Sequence, residues 1–182
     1  MQPRTAKWFF PSALVLLAAA SAQAATQTVT YNTLVGAQTL VTPFAVGDVL
    51  IADTLVTNAT GALSQTTTFT VAPGVGSFSG EAAWEVSTAV GTLPRLTGVN
   101  VDIFDSLNVL VASDTFVGAL GGFAHSSLAG PIAPGTYTMV ATGTGVRDSV
   151  LDISLTFAPI PEPTTMLAAS SAALLLTRRR SR

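Results

Sequence analysis

The chain has 182 residues, 48% of them hydrophobic and only 10% charged, and it contains no cysteine. That excludes a disulfide framework, thiol catalysis and a lipid-modified N-terminal cysteine. Between residues 25 and 160 nine acidic residues stand against Arg95 and Arg147 alone, a net charge of −7 without a single lysine. The clustered basic groups that a nucleic-acid partner requires are therefore missing.

In chain order, residues 1–24 read as an export signal. Arg4 and Lys7 precede an apolar run at 8–20, broken only by Pro11 and Ser12, and Ala22-Gln23-Ala24 supplies the small-x-small pattern of a signal-peptidase site. Cleavage after Ala24 leaves Ala25 as the first residue of the mature chain. The alternative is an uncleaved anchor, but the run falls short of the roughly 20 residues that span a bilayer.

Residues 25–160 read as one domain of ordinary size. Strict alternation marks strands, clearest in Leu151-Asp152-Ile153-Ser154-Leu155-Thr156-Phe157, where every odd position is apolar and every even one polar. The same pattern occurs at 99–103, 68–71 and 137–139, with threonine abundant on the polar side. Further strands are expected at 28–35, 48–56, 82–87 and 109–113, separated by Gly, Pro, Asn and Asp at short intervals. No apolar stripe of helical period is present in this region. The expected fold is all-β, a single antiparallel β-sandwich of eight to ten strands, jelly-roll-like, flanked by an N-terminal signal helix and a short C-terminal hydrophobic helix. The stretch 118–135 is expected to be irregular, and the glycines from Gly74 to Gly80 to form a flexible turn or bulge.

Chemistry-bearing residues are sparse. His125, the only histidine, has Ser126 and Ser127 beside it, but adjacent residues rarely form a nucleophile-base pair and no Gly-x-Ser-x-Gly elbow is present, so 121–127 reads as a mobile polar loop. Glu81 and Glu85, on one strand, share a face about 13 Å apart, too far for a glycosidase pair. Asp102 and Asp105 have the odd spacing that sends them to opposite faces. Asp102, Asp105, Asn108 and Asp114 are weak calcium candidates, since they cluster around an expected hairpin and calcium takes several oxygen ligands; the simpler reading is a turn at 105–108 with Asp102 and Asp114 facing water. Trp84, next to Glu85, is a possible sugar-stacking ring or a core residue. Asn58-Ala59-Thr60 reads as a turn. No catalytic residue, no resident metal and no cofactor is assigned.

Residues 161–182 fall into three parts: Pro161-Glu162-Pro163, an apolar stretch at 164–177, and Arg178, Arg179 and Arg180 before Ser181 and Arg182. Proline keeps the motif extended, Ala and Leu favour helix, and the arginines hold their end on the cytoplasmic side. As a helix of about 1.5 Å per residue the apolar stretch reaches about 21 Å, short of the roughly 30 Å hydrocarbon core. This order of parts at the chain's end resembles the PEP-CTERM sorting signal of Gram-negative bacteria; a plain linker before a tail anchor is the other reading. The resemblance implies recognition by an exosortase, cleavage near the motif, transient residence in the inner membrane and delivery to the cell surface or an exopolysaccharide matrix. The domain is also similar to the FxDxF family of PEP-CTERM proteins through Gly135-Thr136-Tyr137-Thr138-Met139-Val140-Ala141-Thr142-Gly143 and Val101-Asp102-Ile103-Phe104-Asp105. That family's namesake run is not matched: the nearest stretch is Leu63-Ser64-Gln65-Thr66-Thr67-Thr68-Phe69.

These readings combine into an exported, non-enzymatic structural or interaction protein. Its expected processing partners are signal peptidase and an exosortase, and exopolysaccharide is a further candidate partner. A polysaccharide-binding module or adhesin, and a secreted hydrolase, are the alternatives.

Overall fold

The structure, a computed structural model, describes residues 23–86 and 95–160. The expected signal helix and C-terminal hydrophobic helix lie outside the described residues. Eleven strands follow one another: β1 (Thr26–Tyr31), β2 (Val35–Thr39), β3 (Val49–Val56), β4 (Gly61–Val71), β5 (Val75–Glu85), β6 (Leu96–Asp105), β7 (Leu110–Ser113), β8 (Thr115–Leu120), β9 (Phe123–Pro131), β10 (Gly135–Gly145) and β11 (Ser149–Pro159). They form a six-stranded sheet of order β1-β3-β11-β5-β9-β8 and a five-stranded sheet of order β2-β4-β10-β6-β7. The described part of the chain is thus all-β, consistent with a β-sandwich.

The alternation read from the sequence sets which side chains enter the core. In β11, Leu151, Ile153, Leu155 and Phe157 are buried, and β10 contributes Tyr137, Met139 and Ala141 in the same rhythm. Phe44, Phe69 and Phe157 are almost wholly buried and pack ring against ring, with centroids 6.0 Å apart for Phe44 and Phe69 and 4.9 Å for Phe44 and Phe157. Polar bridges also cross the core: the Thr54 hydroxyl of β3 donates to Gln65 Oε1 of β4 at 2.6 Å, and Gln65 Nε2 donates to the Thr33 carbonyl. The Tyr31 hydroxyl donates to the Thr66 carbonyl at 2.7 Å, and burial pushes its pKa up.

Several expectations need correction. The sheets are mixed, not antiparallel throughout, because β1 pairs with β3 and β2 with β4 in parallel. The first four strands alternate between the sheets and each short connection reverses direction, so strands two apart in sequence run the same way. With eleven strands in this order, the architecture is not the eight-stranded jelly roll. The single strand expected at 28–35 is split at 32–34, where the chain turns to cross from one sheet to the other. The irregular stretch expected at 118–135 contains β9. Its inward positions, Ala124, Ser126 and Leu128, include small residues that weaken the apolar signal. Of the expected mobile loop at 121–127, only Gly121 and Gly122 form a turn, a two-residue hairpin turn with both at positive φ as it demands, and 123–127 begin β9.

The glycine-rich run from Gly74 to Gly80 is the turn into β5 and most of that strand's first half. Gly80 lies where a Cβ would come within 1.9 Å of the Ser154 carbonyl oxygen on β11, so the central pairing of the larger sheet depends on the missing side chain. Gly80→Ala is expected to cost about 3 kcal/mol or more through overpacking; chemical denaturation measures it, and a loss below about 1 kcal/mol would show that the two strands can part without penalty.

Candidate functional site

The histidine and its neighbouring serines do not assemble. On β9 His125 points outward opposite Ala83 of β5, whereas Ser126 points inward opposite Ala82 and is almost fully buried. Ser127 shares the outer face with His125 but lies two positions along an extended strand, about 7 Å away. Glu81 and Glu85 both belong to β5, as the spacing required, and Glu85 is buried and paired with Arg95 at 2.9 Å. That ion pair ties the last residue of β5 to the residue just before β6.

Of the calcium candidates, Asp105 and Asp114 hold backbone amides. Asp105 Oδ1 accepts the amides of Leu107 and Val109 at 2.9 and 2.8 Å, and Asn108 adopts φ 60° in the turn between them. Asp114 Oδ1 accepts the Val101 amide, and Asp102 Oδ2 accepts from Asn100 Nδ2. Among the described residues no group of three or more His, Asp or Glu side chains is placed to hold a metal ion. Trp84 is 5% exposed and packs against Phe116 at a centroid distance of 6.3 Å, so its ring is part of the core and offers no face to a sugar.

Of the sorting and processing residues, Ala24 and Ala25 are described and exposed. Ala22, Pro161, Glu162, Pro163, Arg178, Arg179 and Arg180 lie outside the described residues.

Three features were not read from the sequence. The first is an anchor for the start of the domain: Asp48 is buried, its Oδ1 accepts the Ala25 amide at 2.7 Å and its Oδ2 accepts the Ala45 amide at 2.7 Å. The second is an apolar cleft of about 420 Å³, bordered by Val75, Val111, Ile132, Pro134, Tyr137 and Ile160. Tyr137 fixes its wall, its hydroxyl donating to the Ala133 carbonyl at 2.8 Å and accepting the Ala133 amide. The third is a like-charge pair, Asp53 on β3 directly opposite Asp152 on β11, both on the outer face. Such pairings only emerge once register is known, since the residues are far apart in sequence.

No protein-family model and no curated protein matches the chain. Among solved structures it is similar to the pre-peptidase C-terminal domain of a collagenase from Bacillus anthracis, at 13% identity and a TM-score of 0.34, over 74% of this chain and 98% of that one.

Partial burial, and after it the neighbouring Asp53 charge, raise the pKa of Asp152 above the ordinary carboxylate value. The folded form thus binds the proton more tightly than the unfolded chain, and stability rises as pH falls from the raised folded value towards the unfolded one of about 3.9. Asp152→Asn is expected to stabilise the protein at neutral pH by about 0.2–1 kcal/mol, with the gain vanishing below the unfolded value; denaturation midpoints at both pH values test this. For Trp84→Ala the expected loss is about 3–5 kcal/mol of stability, and any retention on polysaccharide by the folded variant should equal that of the parent.

Proposed function

We propose that the chain is an exported display module without catalytic function of its own, a β-sandwich carried between an N-terminal export signal and a C-terminal PEP-CTERM-type sorting signal. On this reading the protein is the substrate of signal peptidase and of an exosortase, and the acidic sandwich is what the cell presents at its surface or in its polysaccharide matrix. One observation carries it. Thr26, Val49 and Thr156 stand in one cross-strand row of the larger sheet, so the first and last strands of the domain stand about 10 Å apart, two strand spacings, at the end of the sandwich where the chain comes in and leaves. Both address segments attach there, and the rest of the domain extends away from them.

The absence of an assembled acid, base and nucleophile among the described candidates fits a presenting role, and the buried Trp84 removes the feature that favoured sugar binding through that ring. Replacing Pro161 and Pro163 by alanine is expected to leave the protein in the membrane fraction of its own host, with its tail attached, while the parent reaches the surface. Equal surface delivery of the two would overturn the sorting role of the motif.

The Asp48 anchor agrees with cleavage after Ala24. Once Ala25 is the first residue, its nitrogen becomes an ammonium group facing a buried carboxylate, a charge-assisted pair in place of a neutral amide bond. Asp48→Asn is therefore expected to destabilise a chain beginning at Ala25 by about 1.5–3 kcal/mol, and by less when residues precede Ala25. Parallel denaturation curves decide this, and equal losses in both forms would contradict it.

A further inference from the structure

The two ends of the sandwich differ in chemistry. Strand register places Glu85, Arg95, Arg147 and Asp148 at the end where β3, β5 and β10 finish. The other end, where the chain comes in and leaves, is built from the connections at 40–48, 72–74, 106–109 and 132–134. Six of the twelve exposed large apolar side chains of the described residues cluster there: Val41, 87% exposed, Leu107, 81% exposed, and Val46, Val109, Leu110 and Ile160. Among the described residues the acidic side chains of this end are Asp48, which is buried on two amides, and Asp105, which is bound to two amides of its own turn. The apolar cleft beside Ile160 opens on the same end.

We infer that this apolar end is a membrane-docking surface, and that its occupant is the lipid bilayer interface against which the precursor is held. The inference rests on the proposed sorting tail. The chain is fixed up to Ile160, whose amide donates to the Gly74 carbonyl at 3.2 Å, and the apolar stretch begins at Thr164. Four extended residues cover at most about 14 Å, against a headgroup layer of roughly 5–7 Å on each side of the hydrocarbon. A tail that enters the bilayer therefore draws this end of the sandwich onto the headgroups. The chemistry suits that position: exposed Val, Leu and Ile side chains gain by burial in the interface, while the acidic groups of the outer faces and the far end stay in water. Since no Lys or Arg lies in these connections, the attraction is apolar and insensitive to salt.

The chain's lack of cysteine makes a direct test simple. In the full-length precursor reconstituted into phosphatidylcholine vesicles, a fluorescent label is placed at Leu107→Cys, at Leu120→Cys on the edge strand β8 as control, or at Leu174→Cys in the tail, and quenching by brominated lipid is measured. The expected result is strong quenching at Leu174→Cys and, severalfold above the Leu120→Cys control, at Leu107→Cys, unchanged by high salt. Quenching at Leu174→Cys with Leu107→Cys no different from the control would overturn the docking surface and leave the sorting tail intact. No quenching at Leu174→Cys would remove the membrane role of the tail and the docking with it. Disulfide-linked dimers of the unlabelled Leu107→Cys protein under an added oxidant, with no quenching of the labelled form, would assign this end to a second copy of the chain and overturn the bilayer as its occupant.

Discussion

Phe44, Phe69 and Phe157 meet in the core and reinforce the backbone hydrogen bonds that tie the 40–48 connection to β4 and β11. Phe44 comes from the connection before β3, Phe69 from the smaller sheet and Phe157 from the larger one, and Tyr137 stacks on Phe69 at 5.9 Å. Each buried phenylalanine is worth about 1.5–3 kcal/mol, and ring contacts add about 0.5–1.5 kcal/mol apiece. More important than the sum is the position. The cluster sits beneath the end of the sandwich where the chain comes in and leaves, so it fixes the 40–48 connection, which in turn sets Asp48 against Ala25, and it holds β11 up to the point where Ile160 meets Gly74. The pairing of β1 and β11 with β3 fixes the two chain ends relative to each other, and the ring cluster packs the 40–48 connection beneath them.

The sequence revealed strands wherever large apolar residues alternate. β11, β10 and the ends of β4 and β6 are of that kind, and their inward residues were all identifiable by parity. It misled where the inward positions are filled by small or polar residues. β9 buries Ala124 and Ser126, and the first half of β5 needs Gly80 to let the Ser154 carbonyl approach, so both stretches looked like loops, while the second half of β5 was expected as a strand. β2 was hidden for the opposite reason, because as an edge strand it leaves Val35 and most of its other residues exposed. The parallel pairs could not be seen at all, since pairing depends on which sheet each strand joins and alternation is blind to that.

The candidate sites follow the same division. Asp105 and Asn108 were legible as turn formers and take that part. The Asp48 anchor, the Asp53 and Asp152 pair and the apolar cleft arise from contacts across dozens of residues, which no local pattern encodes. Asp48, Asp105 and Asp114 are spent on the domain's own backbone amides, and the exposed large apolar groups concentrate at one end and along the β8 edge. On the proposed reading, this domain is what the segments attached at Ala25 and Ile160 position and present.

The intact mass of the protein recovered from its native host tests that reading most directly, because each processing step removes a whole segment. A chain that begins at Ala25 and ends close to Pro161–Pro163 is the expected result. A mature chain that still carries Arg178 to Arg182 would contradict it and make the C-terminal segment an anchor.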